Sequence, residues 1–331
     1  MNSPISASEI SIVVQGPVIN GITEKCLDSV RTVFPQGEII LSTWKGSPTH
    51  GLEYDKLILS DDPGTVCVDH SSGAVNNINR QLISAQAGLC MVDRPYALKT
   101  RTDISFQNRD FLTWFRMYDE LYPPKYVKNR ILVCNYYTRN PRVFPLPFHA
   151  SDWLAFGNTE DIQNLYNAPL QSAEEDTWFL HNKRGKAIYI NYLSRYVPEQ
   201  HIFLSFLQKN CSVSCDCYTD CTQKNIRKTE QVFAETIVVL DYGTQLAIKF
   251  EKYNPNRYLE KYSLLSYVDW KLLCRKYYSK RYIQGWVWYC MKSFFCRCLA
   301  RLRRGIVSLM DCFYVKEKFK NLLSKRSHSS R

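Results

Sequence analysis

Over the first 110 residues, short runs rich in Ile, Val and Leu alternate with segments whose apolar residues recur at helical spacing. That alternation restricts the chain to a mostly parallel sheet covered by helices on both faces. ISIVVQGP (10–17) reads as a strand ending in a Gly-Pro turn, CLDSVRTVF (26–34) as a helix, and EIILSTW (38–44) and KLILS (56–60) as further strands. NNINRQLISAQAGL (76–89) reads as a helix opened by Asn and ended near Gly88, and YALKTRTDISF (96–106) as the next strand. Farther on, RILVCNYYTR (130–139) and AIYINYL (187–193) read as strands. FHASDWLAFGNTEDIQNLY (148–166) passes from an extended run through Gly157 into a helix capped by Asn158 or Thr159. AEEDTWFLHN (173–182) reads as a helix start, RYVPEQHIFLSFLQKN (195–210) as a Pro-initiated helix, and a cysteine-rich loop then leads to ETIVVLDYG (235–243).

In open sheets of this kind, ligands bind outside the carboxyl ends of the strands. Those ends read Gln15-Gly16-Pro17, Ser42-Thr43-Trp44, Asp61-Asp62-Pro63-Gly64 and Arg101-Thr102-Asp103. Each alone is ordinary turn chemistry. Together they favour one crevice lined by polar groups. Alternation sets Lys99, Arg101 and Asp103 on one side of their strand, with Thr100 and Thr102 on the other.

The net charge of +12 raises nucleic acid as a partner, but the charge is unevenly placed. Residues 271–331 hold 16 Lys and Arg against 2 acids, and residues 1–270 hold 27 against 29. The basicity therefore belongs to a tail whose segment WVWYCMKSFFCRCLARLRRGIVSLMDCFYVKEKFKNLLSKR interleaves aromatic and basic residues. No stretch there approaches the ~18 apolar residues of a membrane span. A basic, aromatic, amphipathic helix suits a membrane surface, and no nucleic-acid partner is expected. The start, MNSPISASEISIVVQGP, lacks the pattern of a secretion signal, so a cytoplasmic location is expected, at the inner face of the cytoplasmic membrane. In that reducing compartment most of the 13 cysteines are expected as thiols. Cys211, Cys215, Cys217 and Cys221 follow a C-x3-C-x-C-x3-C spacing that is not a common zinc one, which favours a thiol-rich loop over a metal site.

SIVVQGPV, FPQGEIILSTWKGS, YDKLILSDDPG, NNINRQLISAQAGL and YALKTRTDISF, in this order and followed by SDWLAFGNTEDI and YVPEQHIFLSFL, resemble the WavE lipopolysaccharide-synthesis family of glycosyltransferases over about residues 10–210. The resemblance implies a GT-A-like, Rossmann-type α/β fold. Its donor half lies at about 10–110 and its acceptor half at about 130–250, within a domain of residues 1–270 followed by a basic amphipathic tail, 271–331. It also implies transfer of a sugar from a nucleotide-sugar donor to a lipid-linked glycan. A sugar-phosphate or nucleotidyl transferase on the same sheet, or a membrane-bound assembly scaffold, are the alternatives.

The implied donor-binding residues are Gln15, Gly16, Asp61, Asp62, Arg80, Lys99, Arg101 and Asp103. Enzymes of this fold commonly carry a DxD metal motif at the fourth strand's end, and here that place reads Arg101-Thr102-Asp103. A divalent cation, Mg or Mn, is expected on Asp103 with diphosphate oxygens and water completing its shell. Two other readings stay open: Arg101 pairs the diphosphate directly, assisted by Lys99 or Arg80, or Arg101 and Asp103 pair with neighbouring strands. Asp152 and Glu199 are the candidates for the carboxylate that takes the acceptor proton. Glu174, Glu175 and Asp176 form a weaker third choice.

Overall fold

In the computed structural model, which describes residues 5–69, 73–182, 192–255, 261–279 and 285–302, the chain begins with β1 (Ile10–Gln15), α1 (Thr23–Val33), β2 (Glu38–Trp44) and β3 (Lys56–Ser60). A short hairpin, β4 (Val66–Asp69) and β5 (Ala74–Asn76), leads into α2 (Ile78–Leu89), β6 (Tyr96–Arg101) and β7 (Ile104–Phe106). The second half holds β8 (Ile131–Cys134), β9 (Ala155–Asn158), α3 (Thr159–Tyr166), α4 (Ala173–Asp176), α5 (Trp178–His181) and α6 (Pro198–Asn210). α7 (Gln223–Thr236), β10 (Ile237–Leu240), β11 (Ile248–Phe250), α8 (Tyr267–Tyr278) and a helical segment at 285–302 complete it.

Seven strands form one sheet in the order β10-β8-β9-β6-β1-β2-β3. All neighbours are parallel except β9, which runs antiparallel to both β6 and β8. Every residue of β1 and β2 is buried, as continuous apolar strands covered on both faces require. α2 lies directly on β1 and β2. A Cβ on Gly88 would stand 2.5 Å from Val13 Cγ1 and 3.0 Å from the Ser42 Cβ, so only glycine permits this approach.

The reversal of β9 matters most for function. Its register sets Lys99 opposite Ala155, so the residues just before β9, Asp152 and Trp153 among them, arrive at the carboxyl edge of the parallel strands. The first polar edge and the second half of the chain meet there.

The α/β sheet with flanking helices follows the sequence pattern, with several differences. YALKTRTDISF is not one strand: it turns at Thr102-Asp103, and β7 leaves the main sheet to pair with β11. α7 was not anticipated, because Lys, Arg, Thr and Glu dilute its apolar face; Thr222 caps it by accepting from Asn225 N at 3.2 Å. Of the strand expected at 187–193, residues 187–191 lie outside the described residues, and Tyr192 and Leu193 are not in a strand. The boundary placed between residues 270 and 271 falls inside α8, whose Trp270, Leu273 and Cys274 are buried in the core.

Candidate active site

The carboxyl ends of β1, β2 and β6 enclose a cleft of about 180 Å³. Gly16, with φ of +129°, turns the chain out of β1, and a Cβ there would meet the Thr102 hydroxyl at 3.0 Å. The Thr102 hydroxyl donates to the Pro17 carbonyl at 2.8 Å, and Thr102 N donates to the Gln15 carbonyl at 3.1 Å. These bonds tie the first strand's exit to the turn after β6, so the Arg101-Thr102-Asp103 segment forms one wall. Gln15 is buried, and its Oε1 accepts from the Ser84 hydroxyl at 2.6 Å, which joins the floor to α2.

The opposite wall comes from Trp44 and the first turn of α2. The Arg80 guanidinium lies 5.3 Å from the centre of the Trp44 ring and pairs with Asp62 at 2.5 Å. Four buried polar atoms on residues lining this cleft have no hydrogen-bond partner: Trp44 Nε1, Asn77 Oδ1, Arg80 Nε and Gln81 Oε1. Buried donors and acceptors are rarely left unpaired, because each costs about 1–3 kcal/mol. Two donors and two acceptors grouped around one cleft mark a place built for a polar ligand.

Arg101 joins the cleft to the second half of the chain. Its Nε and one Nη donate to the two Asp103 carboxylate oxygens, each at 2.8 Å. Its guanidinium packs 4.0 Å from the centre of the Trp153 ring, with the Tyr253 ring at 5.8 Å on the cleft side. Burial works against the Arg101 charge, but the hydrogen bonds and charge of Asp103 outweigh it and hold the guanidinium above its usual range.

Beside Trp153, Asp152 is 3% exposed, and its Oδ1 has no hydrogen-bond partner. The Asp152 backbone carbonyl accepts from Lys99 Nζ and, at 3.1 Å, from the Tyr166 hydroxyl. Lys99 Nζ also sits 4.9 Å from the Tyr166 ring centre; burial pushes its pKa down to about 8 against the raising effect of Asp152.

Glu199 enters from the first turn of α6, placed there by Pro198 at the helix start. Burial first, then the Asp152 carboxylate, raise its pKa well above the usual carboxylate range. Its neighbour His149 stands 3.6 Å away through Nε2 and is pushed down to about 3, by burial first and then by the Arg139 charge. The His149 Nδ1 donates to the Tyr137 carbonyl at 2.7 Å, which fixes the tautomer and leaves the Nε2 lone pair facing Glu199. A protonated glutamic acid beside a neutral imidazole is the consistent state of this pair.

The donor set offers little to a divalent cation. Both oxygens of Asp103 already accept from Arg101, and among the described residues no group of three or more His, Cys, Asp and Glu side chains converges. Cys211, Cys215, Cys217 and Cys221 are thiols.

Of the sequence-derived donor residues, Gln15, Gly16, Arg80, Arg101 and Asp103 line the cleft. Asp62 touches it through Arg80. Asp61 instead pairs with Lys45 at 2.8 Å on the exposed surface, because Pro63 and the turn at Gly64 carry it outward. Lys99 lies behind the cleft, directed at the Asp152 carbonyl. Trp44, Asn77, Gln81, Lys252 and Tyr253 were not among the predicted donor residues. Trp44 at a strand end and Gln81 beside Arg80 carried a local signal, whereas Lys252 and Tyr253 come from a distant loop that no local pattern relates to β6. Glu174 and Glu175 lie on the outer turn of α4, and Asp176 is tied to Asn76 at 3.0 Å.

A polar cleft thus lies across the β1, β2 and β6 ends, with Asp152 brought to the same sheet edge by the segment before the antiparallel β9 and Glu199 by the start of α6. The chain belongs to the WavE lipopolysaccharide-synthesis family, whose model matches residues 10–304. No curated protein matches its sequence. Solved structures similar to it include the mannosyltransferase PcManGT of Pyrobaculum calidifontis in complex with GDP-Man and Mn2+, at 12% identity and a TM-score of 0.32, covering 49% of this chain and 47% of that one. Another is glucosyl-3-phosphoglycerate synthase of Mycobacterium tuberculosis with Mn2+, UDP and glucosyl-3-phosphoglycerate, at 10% identity and a TM-score of 0.29, covering 46% and 57%. The chain thus spans about half the length of each.

Proposed function

We propose that the protein transfers a sugar from a nucleotide-sugar donor to a lipid-linked oligosaccharide during lipopolysaccharide or related surface-polysaccharide synthesis. The observation that carries the donor half of this reading is the group of four unpartnered polar atoms, on Trp44, Asn77, Arg80 and Gln81, around the cleft at the strand ends. Hydrogen-bonding groups of both kinds, on residues lining the cleft, suit a nucleobase and ribose. Arg101 then faces the diphosphate, where negative charge develops as the sugar leaves.

In this reading Asp152 accepts the proton of the attacking acceptor hydroxyl through its unpartnered Oδ1. Lys99 and Tyr166 hold the Asp152 backbone and so fix the carboxylate's approach. Glu199, protonated and backed by His149, donates to the acceptor or keeps the second carboxylate charge out of the site. Turnover with a panel of radiolabelled nucleotide-sugars and extracted membrane lipids is expected to release a nucleoside diphosphate and move label into the lipid phase. Label moving together with a phosphate would reassign the reaction to sugar-phosphate transfer, and no turnover with any donor would remove the enzymatic reading.

The lipid-linked acceptor is supported by the face that the 285–302 helix leaves outward. Among the described residues no helix is long and apolar enough to cross a membrane. Trp288, Met291, Phe295, Leu299 and Leu302 follow one stripe at helical spacing, each more than half exposed, with Phe294 beside them. Such a stripe within the basic 271–331 region fits an anionic bilayer surface, which in our reading is the inner face of the cytoplasmic membrane. Phe294→Ser with Phe295→Ser is expected to cut flotation with anionic vesicles by about tenfold or more, given the area lost. Unchanged flotation with retained folding would refute this contact.

A further inference from the structure

We propose that this protein holds its donor diphosphate without a divalent cation: Arg101 and Lys252 occupy the cation's role, and Asp103 serves to lock the Arg101 fork. This rests on the nucleotide-donor reading of the same cleft. Each Asp103 oxygen already accepts a charge-assisted hydrogen bond of 2.8 Å from Arg101, so a metal there has to share those oxygens with, and sit against, a guanidinium cation. Arg101 has little room to withdraw. Its side chain is 19% exposed, with Trp153 stacked at 4.0 Å and Tyr253 nearby, and its partner carboxylate is 4% exposed. Hard cations such as Mg and Mn need several oxygen ligands in near-octahedral order, and among the described residues Asp103 belongs to no group of three or more His, Cys, Asp and Glu side chains that could hold one.

The residues present are, by contrast, suited to hold an anion directly. A guanidinium has five N–H donors, and the fork to Asp103 uses two, leaving three for diphosphate oxygens. Because the Arg101 and Asp103 charges cancel, that pair contributes directed donors more than net charge. Lys252 supplies the missing charge: it lines the cleft, is exposed, and has no ion pair among the described salt bridges. Asp103 is therefore a positioning residue, acting through Arg101, and the rigid strand end of β6 sets where the fork points.

The test is calorimetric titration of the full chain with UDP, GDP and CDP, in EDTA and again in Mn2+. At least one nucleotide is expected to bind in EDTA with an affinity within about threefold of that in Mn2+. Arg101→Lys keeps the charge and loses the fork, and Lys252→Ala loses the charge alone; each is expected to weaken binding about 10- to 100-fold in both buffers. Asp103→Asn is expected to weaken it less than Arg101→Lys does, and equally with and without Mn2+. Binding that requires Mn2+, or an Mn2+ effect abolished by Asp103→Asn, overturns this proposal while leaving the donor cleft in place. A nucleotide that fails to bind in either buffer removes the donor reading itself, and this proposal with it. Circular dichroism of each variant separates lost binding from lost folding.

Discussion

Asp152→Asn is expected to lower sugar transfer by about 10²- to 10⁴-fold, the usual size of a lost general base, while nucleotide affinity changes by less than about threefold. The separation follows from placement: Asp152 does not line the cleft at the strand ends but stands next to Trp153, on which Arg101 stacks. Asparagine preserves shape and the backbone contacts from Lys99 and Tyr166, so a fall in turnover reports the carboxylate alone. Retained turnover would move the base elsewhere.

Glu199→Gln separates catalysis from stability. Because the folded state raises the Glu199 pKa, folding binds its proton more tightly than the unfolded chain does. The resulting stabilisation is complete below the pKa of a free glutamate, about 4.3, and is lost as pH rises toward the raised folded value. The slope for one group is at most about 1.4 kcal/mol per pH unit. Glutamine does not titrate, so the melting temperature of Glu199→Gln relative to wild type should climb between pH 5 and pH 8. A difference flat across that range would show that Glu199 is not the protonated member of the pair.

The second large effect concerns stability. Glu230→Ala is expected to cost about 3–5 kcal/mol, because it strips the partner from a mostly buried cation. Glu230 is fully buried on α7 and accepts from two Arg142 nitrogens, one of them at 2.8 Å. The Tyr289 and Tyr277 hydroxyls stand 3.2 and 3.4 Å from it. Tyr289 is itself buried, and on the same face Lys292 pairs with Asp269 at 2.8 Å and Ser293 accepts from Asn140 at 3.2 Å. Glu230 thus anchors the 285–302 helix to the body, and its loss should also expose Trp286 to proteolysis-linked fluorescence change. A urea midpoint matching wild type would show that the helix is held by its apolar contacts alone. Truncation at residue 286 is for the same reason a poor test of membrane binding: it removes Tyr289 from the core.

The parallel sheet was legible because covered strands are written as unbroken apolar runs, and the crevice followed from the rule for their carboxyl ends. α7 escaped because its sequence is predominantly polar, although Ile226, Val232 and Phe233 recur at buried positions of the helix. The tail shows both cases. Its basic amphipathic character is plain in the residues, but the side packed on the protein is chosen by Tyr289, Ser293 and Lys292, whose partners lie about 60 to 150 residues away or, for Asp269, in the preceding helix.

By itself the sequence determined the strand and helix alternation, the family, and the arginine standing where a metal-binding carboxylate was expected. These are properties of residue type and order, which local sterics and the hydrophobic pattern express directly. Only the tertiary structure decided that Arg101 closes on Asp103, that Trp153 and Tyr253 hold it, and that Asp152 and Glu199 meet at the same edge. Those relations depend on the antiparallel entry of β9 and on loops more than 100 residues apart, because a side chain's charge state and direction are set by what packs against it.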